Sequence, residues 1–150
     1  MEQTHAVSVL NDVLQTLRDG EEGFRTAAGV VTDAHVKDVF EQYARQRAEM
    51  ARELEQEIGK LGGTAGTSGS VTGSLHRGWI NLKGSIGALD DKAIVSEAER
   101  GEDAAKTAYA TALKAELPAG ARRLLEDQAE IVRLAHDEVR ALEKRGSNRR

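Results

Sequence analysis

The sequence predicts an all-α protein in which four long helices form two helical hairpins joined by a long crossover. Three observations predict this class. The chain has one proline and 3% aromatic residues among its 150 residues. Four segments carry apolar residues at helical spacing, and one long glycine-rich segment separates the second from the third. A chain of this length can bury a core as one unit, so we expect a single domain over residues 1–150.

The first hairpin is expected at about residues 5–61. Thr32 and Asp33 can cap its second helix, and the Lys60–Gly63 segment ends that helix. The apolar stripe of the first helix comprises Leu10, Leu14, Leu17, Phe24, Ala28 and Val31. The stripe of the second comprises Val36, Val39, Phe40, Tyr43, Met50, Leu54, Ile58 and Leu61. Each helix therefore has one apolar face that needs a partner.

The crossover is expected at residues 62–89. It opens with GGTAGTSGSVTG, which has five glycines and no charged residue and is typical of a loop. A short crossover helix, SLHRGWINLKGSIG, is expected to follow. We expect His76, Arg77 and Trp79 to anchor this helix on the bundle; a ligand or partner site at the same residues is the alternative.

The second hairpin is expected at about residues 90–143, followed by a flexible tail over residues 144–150. Asp90 and Asp91 place acid at the start of the third helix, where the helix dipole favours it. Pro118 suits the first turn of the fourth helix. The two stripes comprise Ile94, Val95, Ala98, Ala105, Tyr109, Ala112 and Leu113, and then Leu124, Leu125, Ile131, Val132, Ala135, Val139 and Leu142.

The two hairpins repeat each other at a shift of 81 residues. GEEGFRTA at 20–27 returns as GEDAAKTA at 101–108, and QRAEMAR at 46–52 aligns with DQAEIVR at 127–133. One shift aligns both helices and their turn without a gap, which indicates internal duplication of a hairpin whose apolar face needs a second copy. The long crossover between hairpins favours an up-down-down-up, ferritin-like four-helix bundle.

The duplicated positions carry acids that suggest a metal site. Ferritin-like di-iron bundles use one glutamate from each of two helices and Glu-x-x-His from each of the other two. Glu21 and Glu102 occupy equivalent first helices, and Glu49 and Glu130 occupy equivalent second helices. With His136 as a further candidate, these residues are the predicted ligands of iron or manganese.

The sequence departs from the di-iron pattern at two positions. Arg52 and Arg133 stand where the pattern has histidine, and arginine cannot ligate a metal. Glu49 and Glu130 also lie about 100° away from the centre of their apolar stripes. These acids are thus expected to flank the core rather than to enter it.

A buried polar layer is the other interpretation of the same acids. In this interpretation Glu21 pairs with Arg47, and Glu102 pairs with Gln128, because all four lie on core stripes. Buried carboxylates need such partners. Both interpretations remain open at the level of sequence, and His136 is either a structural hydrogen-bonding histidine or a ligand.

Composition excludes several classes of function. The chain has no cysteine, which rules out disulfides, thiolate metal sites and cysteine nucleophiles. A net charge of −4 gives no support to nucleic-acid binding. No run approaches the about 20 apolar residues of a membrane helix, and the N-terminus has no secretory pattern. We expect a cytoplasmic protein with no catalytic or cofactor-binding residues, no nucleic-acid or membrane partner, and a homo-oligomeric, dimeric state.

Several segments together resemble a known family. DGEEGF, QRAEMAREL, GSVTGSLHRGWINLK and ERGEDAAKTAYATAL are similar to a family of bacterial ferritin-like four-helix-bundle proteins classed as a domain of unknown function. The GSxxGxxHRxW crossover is the most specific of these features. The resemblance implies the ferritin-like fold and a bacterial source, and it implies no established activity.

The function expected from all of this is a non-enzymatic structural, interaction or stress-related role, with a polar layer in place of a di-metal site. The alternative is an iron- or manganese-binding protein or oxidoreductase of ferritin-like type, because relatives of the fold store iron or reduce peroxide.

Overall fold

Four α-helices account for most of the chain that the structure, a computed structural model, describes: residues 2–66 and 90–148, with side chains for 4–66 and 90–144. They are α1 (Glu2–Val30), α2 (Ala34–Lys60), α3 (Asp91–Ala112) and α4 (Ala119–Asn148). No strand occurs within these two ranges. The predicted all-α class is confirmed. None of the helices in the described part of the chain is long and apolar enough to cross a membrane.

The predicted crossover helix lies outside the described residues, as do His76, Arg77 and Trp79. The start of the crossover is held against α1. The side chain of Asn11 donates to the carbonyl of Thr64 and accepts from the backbone N–H of Gly66. Arg18 donates to the carbonyl of Gly66. The first residues after α2 are therefore fixed by polar side chains of α1.

Side chains at the predicted boundaries cap the helices. Asp33 is the N-cap of α2 and accepts from the backbone N–H groups of His35 and Val36. Asp90 is the N-cap of α3 and accepts from the N–H of Ala93. At the end of α2, Gly62 adopts a left-handed φ of 79°. The N–H groups of Gly62 and Gly63 then bond to the carbonyls of Gly59 and Ile58, which makes a Schellman motif.

The fourth helix extends further than the sequence predicts. The predicted flexible tail begins at residue 144, whereas α4 remains helical to Asn148. Leu142 is the last buried apolar residue of α4, and three strong helix formers, Glu143, Lys144 and Arg145, follow it directly. At the other end, Pro118 directly precedes α4, and its carbonyl accepts from the N–H of Arg122.

A single carboxylate ties the two hairpins together. Asp91, the first residue of α3, accepts hydrogen bonds from the N–H and hydroxyl of Thr32, at 2.8 and 2.9 Å, and from the N–H of Asp33 at 2.8 Å. The end of α1 therefore meets the start of α3, and these helices run antiparallel. Because each hairpin is also antiparallel, the four directions are up, down, down, up.

The apolar core has two halves along the bundle axis. The half nearer the α1–α2 turn comprises Phe24, Ala27, Ala28, Val31, Val39, Phe40, Tyr43, Ala44, Ile94, Val95, Ala98, Ala135, Val139 and Leu142. The other half comprises Leu10, Val13, Leu14, Leu17, Met50, Ala51, Leu54, Ile58, Ala105, Tyr109, Ala112, Ala121, Leu125 and Val132. On every helix the two sets are separated by a short interval, and the intervals of α2 and α3 contain the buried Arg47 and Glu102.

Candidate functional site in the bundle interior

The centre of the bundle contains a buried ion pair between α2 and α3. The guanidinium of Arg47 donates through Nη1 and Nη2 to the two carboxylate oxygens of Glu102, each at 2.7 Å. Arg47 is 1% exposed and Glu102 is fully buried. Two parallel charge-assisted bonds are the strongest form of this contact. The pair lies at the level where the apolar core divides.

The surroundings of Arg47 keep it charged. Burial opposes the charged form, but the charge of Glu102 and its hydrogen bonds outweigh burial and raise the pKa of Arg47 above its ordinary value. The guanidinium carbon also lies 5.4 Å from the ring centroid of Phe24, a cation–π contact. The stem of Arg47 passes Gly20 of α1, where an added Cβ would lie 3.7 Å from it.

A second polar contact joins α3 and α4 beside the ion pair. The hydroxyl of Tyr109 donates to Oε1 of Gln128 at 2.8 Å. The amide of Gln128 donates to the carbonyl of Met50 and to the carboxylate of Glu53, each at 3.1 Å. Gln128 is 1% exposed. We call Arg47, Glu102, Tyr109 and Gln128 the polar layer; they come from α2, α3 and α4.

Both tyrosines of the chain are held neutral by their surroundings. Burial is the main cause that raises the pKa of Tyr109 above its ordinary value. Burial also raises the pKa of Tyr43, and the hydrogen bond that its hydroxyl donates to Glu138 adds to the effect. Tyr43 packs against Phe24 at 5.4 Å between ring centroids. These hydroxyls therefore stay protonated, and remain hydrogen-bond donors, to a higher pH than an exposed tyrosine does.

The sequence predicted the wrong partners for the charged residues of the polar layer. The sequence suggested Glu21 with Arg47 and Glu102 with Gln128, each within one hairpin. Arg47 instead crosses between hairpins to Glu102, and Glu21 turns to Arg25 one helical turn later on α1, at 2.5 Å. The physical reason is depth, because Glu102 is fully buried while Glu21 is half-buried and reaches a partner near solvent.

The five predicted metal ligands are not brought together. Glu49 pairs with Arg52 and Glu130 pairs with Arg133, in exposed i,i+3 ion pairs with carboxylate side chains 64% and 56% exposed. Each arginine that replaces a pattern histidine thus neutralises the acid three residues before it.

An interior di-metal centre does not fit these residues. It would need the Glu102 carboxylate, whose two oxygens already bind Arg47. The fixed positive charge of that guanidinium would repel a divalent cation at the same depth.

His136 belongs to a different cluster at the edge of the bundle. Its Nε2 lies 2.7 Å from Oδ1 of Asp103 on α3. Glu99, one turn before Asp103, completes a group of three whose ligand atoms lie within 4.8 Å of one another, and it is the only such group in the described ranges. Glu99 and Asp103 were not among the ligands predicted from the sequence. Their i,i+4 spacing was visible, but the register of α3 against α4 was not.

Comparison with known proteins places the chain in a family. Residues 5–115 match the family described as Domain of unknown function (DUF2383), and the protein belongs to this family. The resemblance expected from the sequence is confirmed. A comparison with curated proteins found no significant match.

Solved structures share the fold at low sequence identity. The chain is similar to the Dps protein of Mycobacterium smegmatis, with a TM-score of 0.77, 16% identity, and 93% of this chain and 86% of that chain covered. It is similar to a bacterioferritin-related dodecameric thioferritin from Bacteroides fragilis, with a TM-score of 0.71, 14% identity, and 97% and 90% covered.

A two-domain protein from Anabaena variabilis, with DJ-1/ThiJ/PfpI-like and ferritin-like domains, gives a TM-score of 0.78 at 14% identity. The alignment covers 97% of this chain but only 38% of that one. These likenesses establish the ferritin-like four-helix fold and nothing finer.

Proposed function

We propose that this protein is a ferritin-like bundle with a structural or interaction role, in which a salt-bridged polar layer replaces an interior di-metal centre. The observation that carries the proposal is the bidentate pair of Arg47 and Glu102, both fully removed from solvent. Ferritin-like di-iron proteins fill this region with inward carboxylates and histidines. Here one interior carboxylate is neutralised by arginine.

The remaining acids support the same proposal. Glu21, Glu49 and Glu130 each have an arginine partner on their own helix. A di-metal centre needs several carboxylates that are free to bridge two cations about 3.5–4 Å apart. We therefore propose that the bundle acts through its surface and that its interior sets stability and register. The proposed location is the cytoplasm of a bacterial cell.

Iron loading tests the absence of a di-metal centre. Purified protein without a histidine tag would be mixed aerobically with ferrous iron, desalted, and analysed for retained iron and for the rate of ferrous oxidation. We expect no retention of two irons per chain and no catalysed oxidation. Two irons per chain in the wild type, lost in Glu102→Gln and kept in the surface variant Glu22→Gln, would overturn the proposal.

Self-association is the second part of the proposal, and we infer a homodimer. One similar structure is a dodecamer, which supports assembly of this fold in general. Among the large hydrophobic residues of the described chain, Leu134 on α4 is the most exposed, at 55%. It lines a groove between α2 and α4 with Tyr43, Gln46, Ile131, Ala135 and Glu138.

Sedimentation of the wild type beside Leu134→Arg tests this surface. We expect a dimer in the wild type and a monomer in the variant, with unchanged helical circular dichroism in both. Ala110→Arg, at an exposed position on α3, is the matched control and should remain dimeric. A monomeric wild type at high concentration, or a dimer that survives Leu134→Arg, would contradict the proposed interface.

A further inference from the structure

Glu99, Asp103 and His136 form a mixed carboxylate–imidazole cluster across the α3–α4 edge. Glu99 and Asp103 are one helical turn apart on α3, so their side chains share a face. His136 approaches that face from α4, with Nε2 2.7 Å from Oδ1 of Asp103. One ligand atom from each residue lies within 4.8 Å of the other two. Three donors thus converge from two helices.

The three residues differ in burial, so that one donor is held rigidly while the other two are accessible to a cation from solvent. His136 is 4% exposed, so packing fixes its ring against α3. Glu99 is half-buried, and the side chain of Asp103 is 61% exposed. A cation can therefore reach the cluster from solvent, while the imidazole that receives it is held in place. Coordination at distances of about 2.0–2.2 Å would require the two carboxylates to rotate about the fixed imidazole.

The charges around the cluster differ from those around three other acids of α3 and α4. Glu97 has Arg100, Glu130 has Arg133 and Glu102 has Arg47. Asp103 forms an ion pair with His136. Within the described residues, neither Glu99 nor Asp103 forms an ion pair with an arginine or a lysine. A bound cation would supply the positive charge that arginines supply elsewhere.

We propose that Glu99, Asp103 and His136 bind one divalent first-row transition-metal ion, and that zinc binds more tightly than manganese or iron. Imidazole suits zinc and iron, and carboxylates are shared by zinc and manganese, so the mixed set favours this class over calcium or magnesium. Three protein ligands leave the fourth position of a tetrahedral zinc ion to water. On the far side of the ring, Nδ1 lies 3.5 Å from Oδ1 of Asp137, a carboxylate suited to orient the imidazole.

Metal binding here has a structural consequence. The ion would join α3 to α4 beside the polar layer, because Asp103 directly follows Glu102 in the chain. The site holds one ion at the surface edge and does not use the interior carboxylate. It is therefore distinct from the di-metal arrangement of the fold and goes beyond the proposed function.

Zinc titration tests the inference. Metal-free, tag-free protein would be titrated with zinc by calorimetry, and cobalt absorption would report the coordination. We expect one zinc per chain and a raised melting temperature with zinc. Asp103→Asn and His136→Gln should each weaken binding by more than about 100-fold, since outer-sphere partners alone change affinity by about 10- to 100-fold. Glu130→Gln, an exposed acid of α4 that is already paired with Arg133, is the matched control and should bind like the wild type.

The outcomes separate this inference from the proposed function. No stoichiometric zinc binding by the wild type, or equal binding by Asp103→Asn and the wild type, would overturn the surface site and leave the polar layer untouched. Binding that is lost in Glu102→Gln and Glu130→Gln but kept in Asp103→Asn would overturn both. Because Asp103 is exposed, its variant should fold, and circular dichroism would verify this.

Discussion

Arg47 and Glu102 join the two helical hairpins through two parallel hydrogen bonds of 2.7 Å in the middle of the bundle. The pair lies between two apolar halves, and apolar burial is not directional. A buried pair of this kind fixes which level of α2 faces which level of α3, because any axial slip leaves a charge without its partner.

Removal of one partner should be strongly destabilising. We expect Glu102→Leu or Arg47→Met alone to lower the free energy of unfolding by about 3–5 kcal/mol, because each leaves an uncompensated buried group. The double variant Arg47→Met/Glu102→Leu should recover much of the loss, since apolar replacement of a whole buried pair is often neutral or stabilising. Urea unfolding of all four proteins gives the coupling energy.

The exposed pairs of the same type provide the control. Glu49→Gln removes the partner of Arg52 at the surface, and it should leave the unfolding midpoint unchanged because exposed pairs contribute little. If the two single core variants were additive in the double variant, Arg47 and Glu102 would not be energetically coupled.

The fold was largely predictable because its signals are local. Helical periodicity, Asp33 and Asp90 as caps, and glycines after Lys60 are properties of short segments. The contact between Thr32 and Asp91 was not predictable, since it depends on how two separate hairpins meet. The length of α4 was underestimated because charged residues after Leu142 continue a helix without an apolar stripe.

The site was predictable only as a set of polar residues on core faces. Glu21 and Glu102 occupy equivalent positions 81 residues apart, yet one pairs at the surface and the other is buried. This difference depends on the axial register of four helices, to which every helical turn contributes. A sequence pattern assigns a residue to a face, but it does not decide which of two facing carboxylates an arginine reaches.

Stability should fall at alkaline pH because of the two tyrosines. Their pKa values in the folded protein lie above the ordinary value of about 10. Above pH 10 the unfolded chain therefore releases protons that the folded chain retains, so the free energy of unfolding decreases as pH rises. The contribution is complete below about pH 10. Urea unfolding between pH 8 and pH 11 would measure the decrease.

Phenylalanine variants identify the source of that pH dependence. Tyr43→Phe and Tyr109→Phe should each reduce the slope above pH 10, and the double variant should reduce it most. The chain has two tyrosines in all, so tyrosinate absorbance of the wild type should rise only as the protein unfolds. Normal ionisation of both tyrosines in folded protein near pH 10 would contradict this account.

Asp91 should stabilise the junction of the hairpins. Asp91→Ala removes the acceptor of three hydrogen bonds from Thr32 and Asp33, and we expect a loss of about 1–3 kcal/mol in the free energy of unfolding. Hydrogen exchange should quicken at the end of α1 and the start of α2. The neighbouring Asp90→Ala removes only the N-cap of α3 and should cost about 1 kcal/mol. Fast exchange confined to α3 in Asp91→Ala would show that Asp91 acts only on its own helix.

Gly63 is required by close contact with α1. A Cβ at Gly63 would lie 2.6 and 2.7 Å from the two methyl groups of Val7. Gly63→Ala should therefore lower the free energy of unfolding by about 1–3 kcal/mol, as overpacking does. Val7→Ala in the same chain should restore part of this loss, because it removes the methyl groups that the new Cβ meets. Gly59→Ala, in α2 with open space around it, should instead stabilise by up to about 1 kcal/mol. Equal effects at both positions would show that backbone conformation, and not the contact with Val7, determines the requirement for glycine.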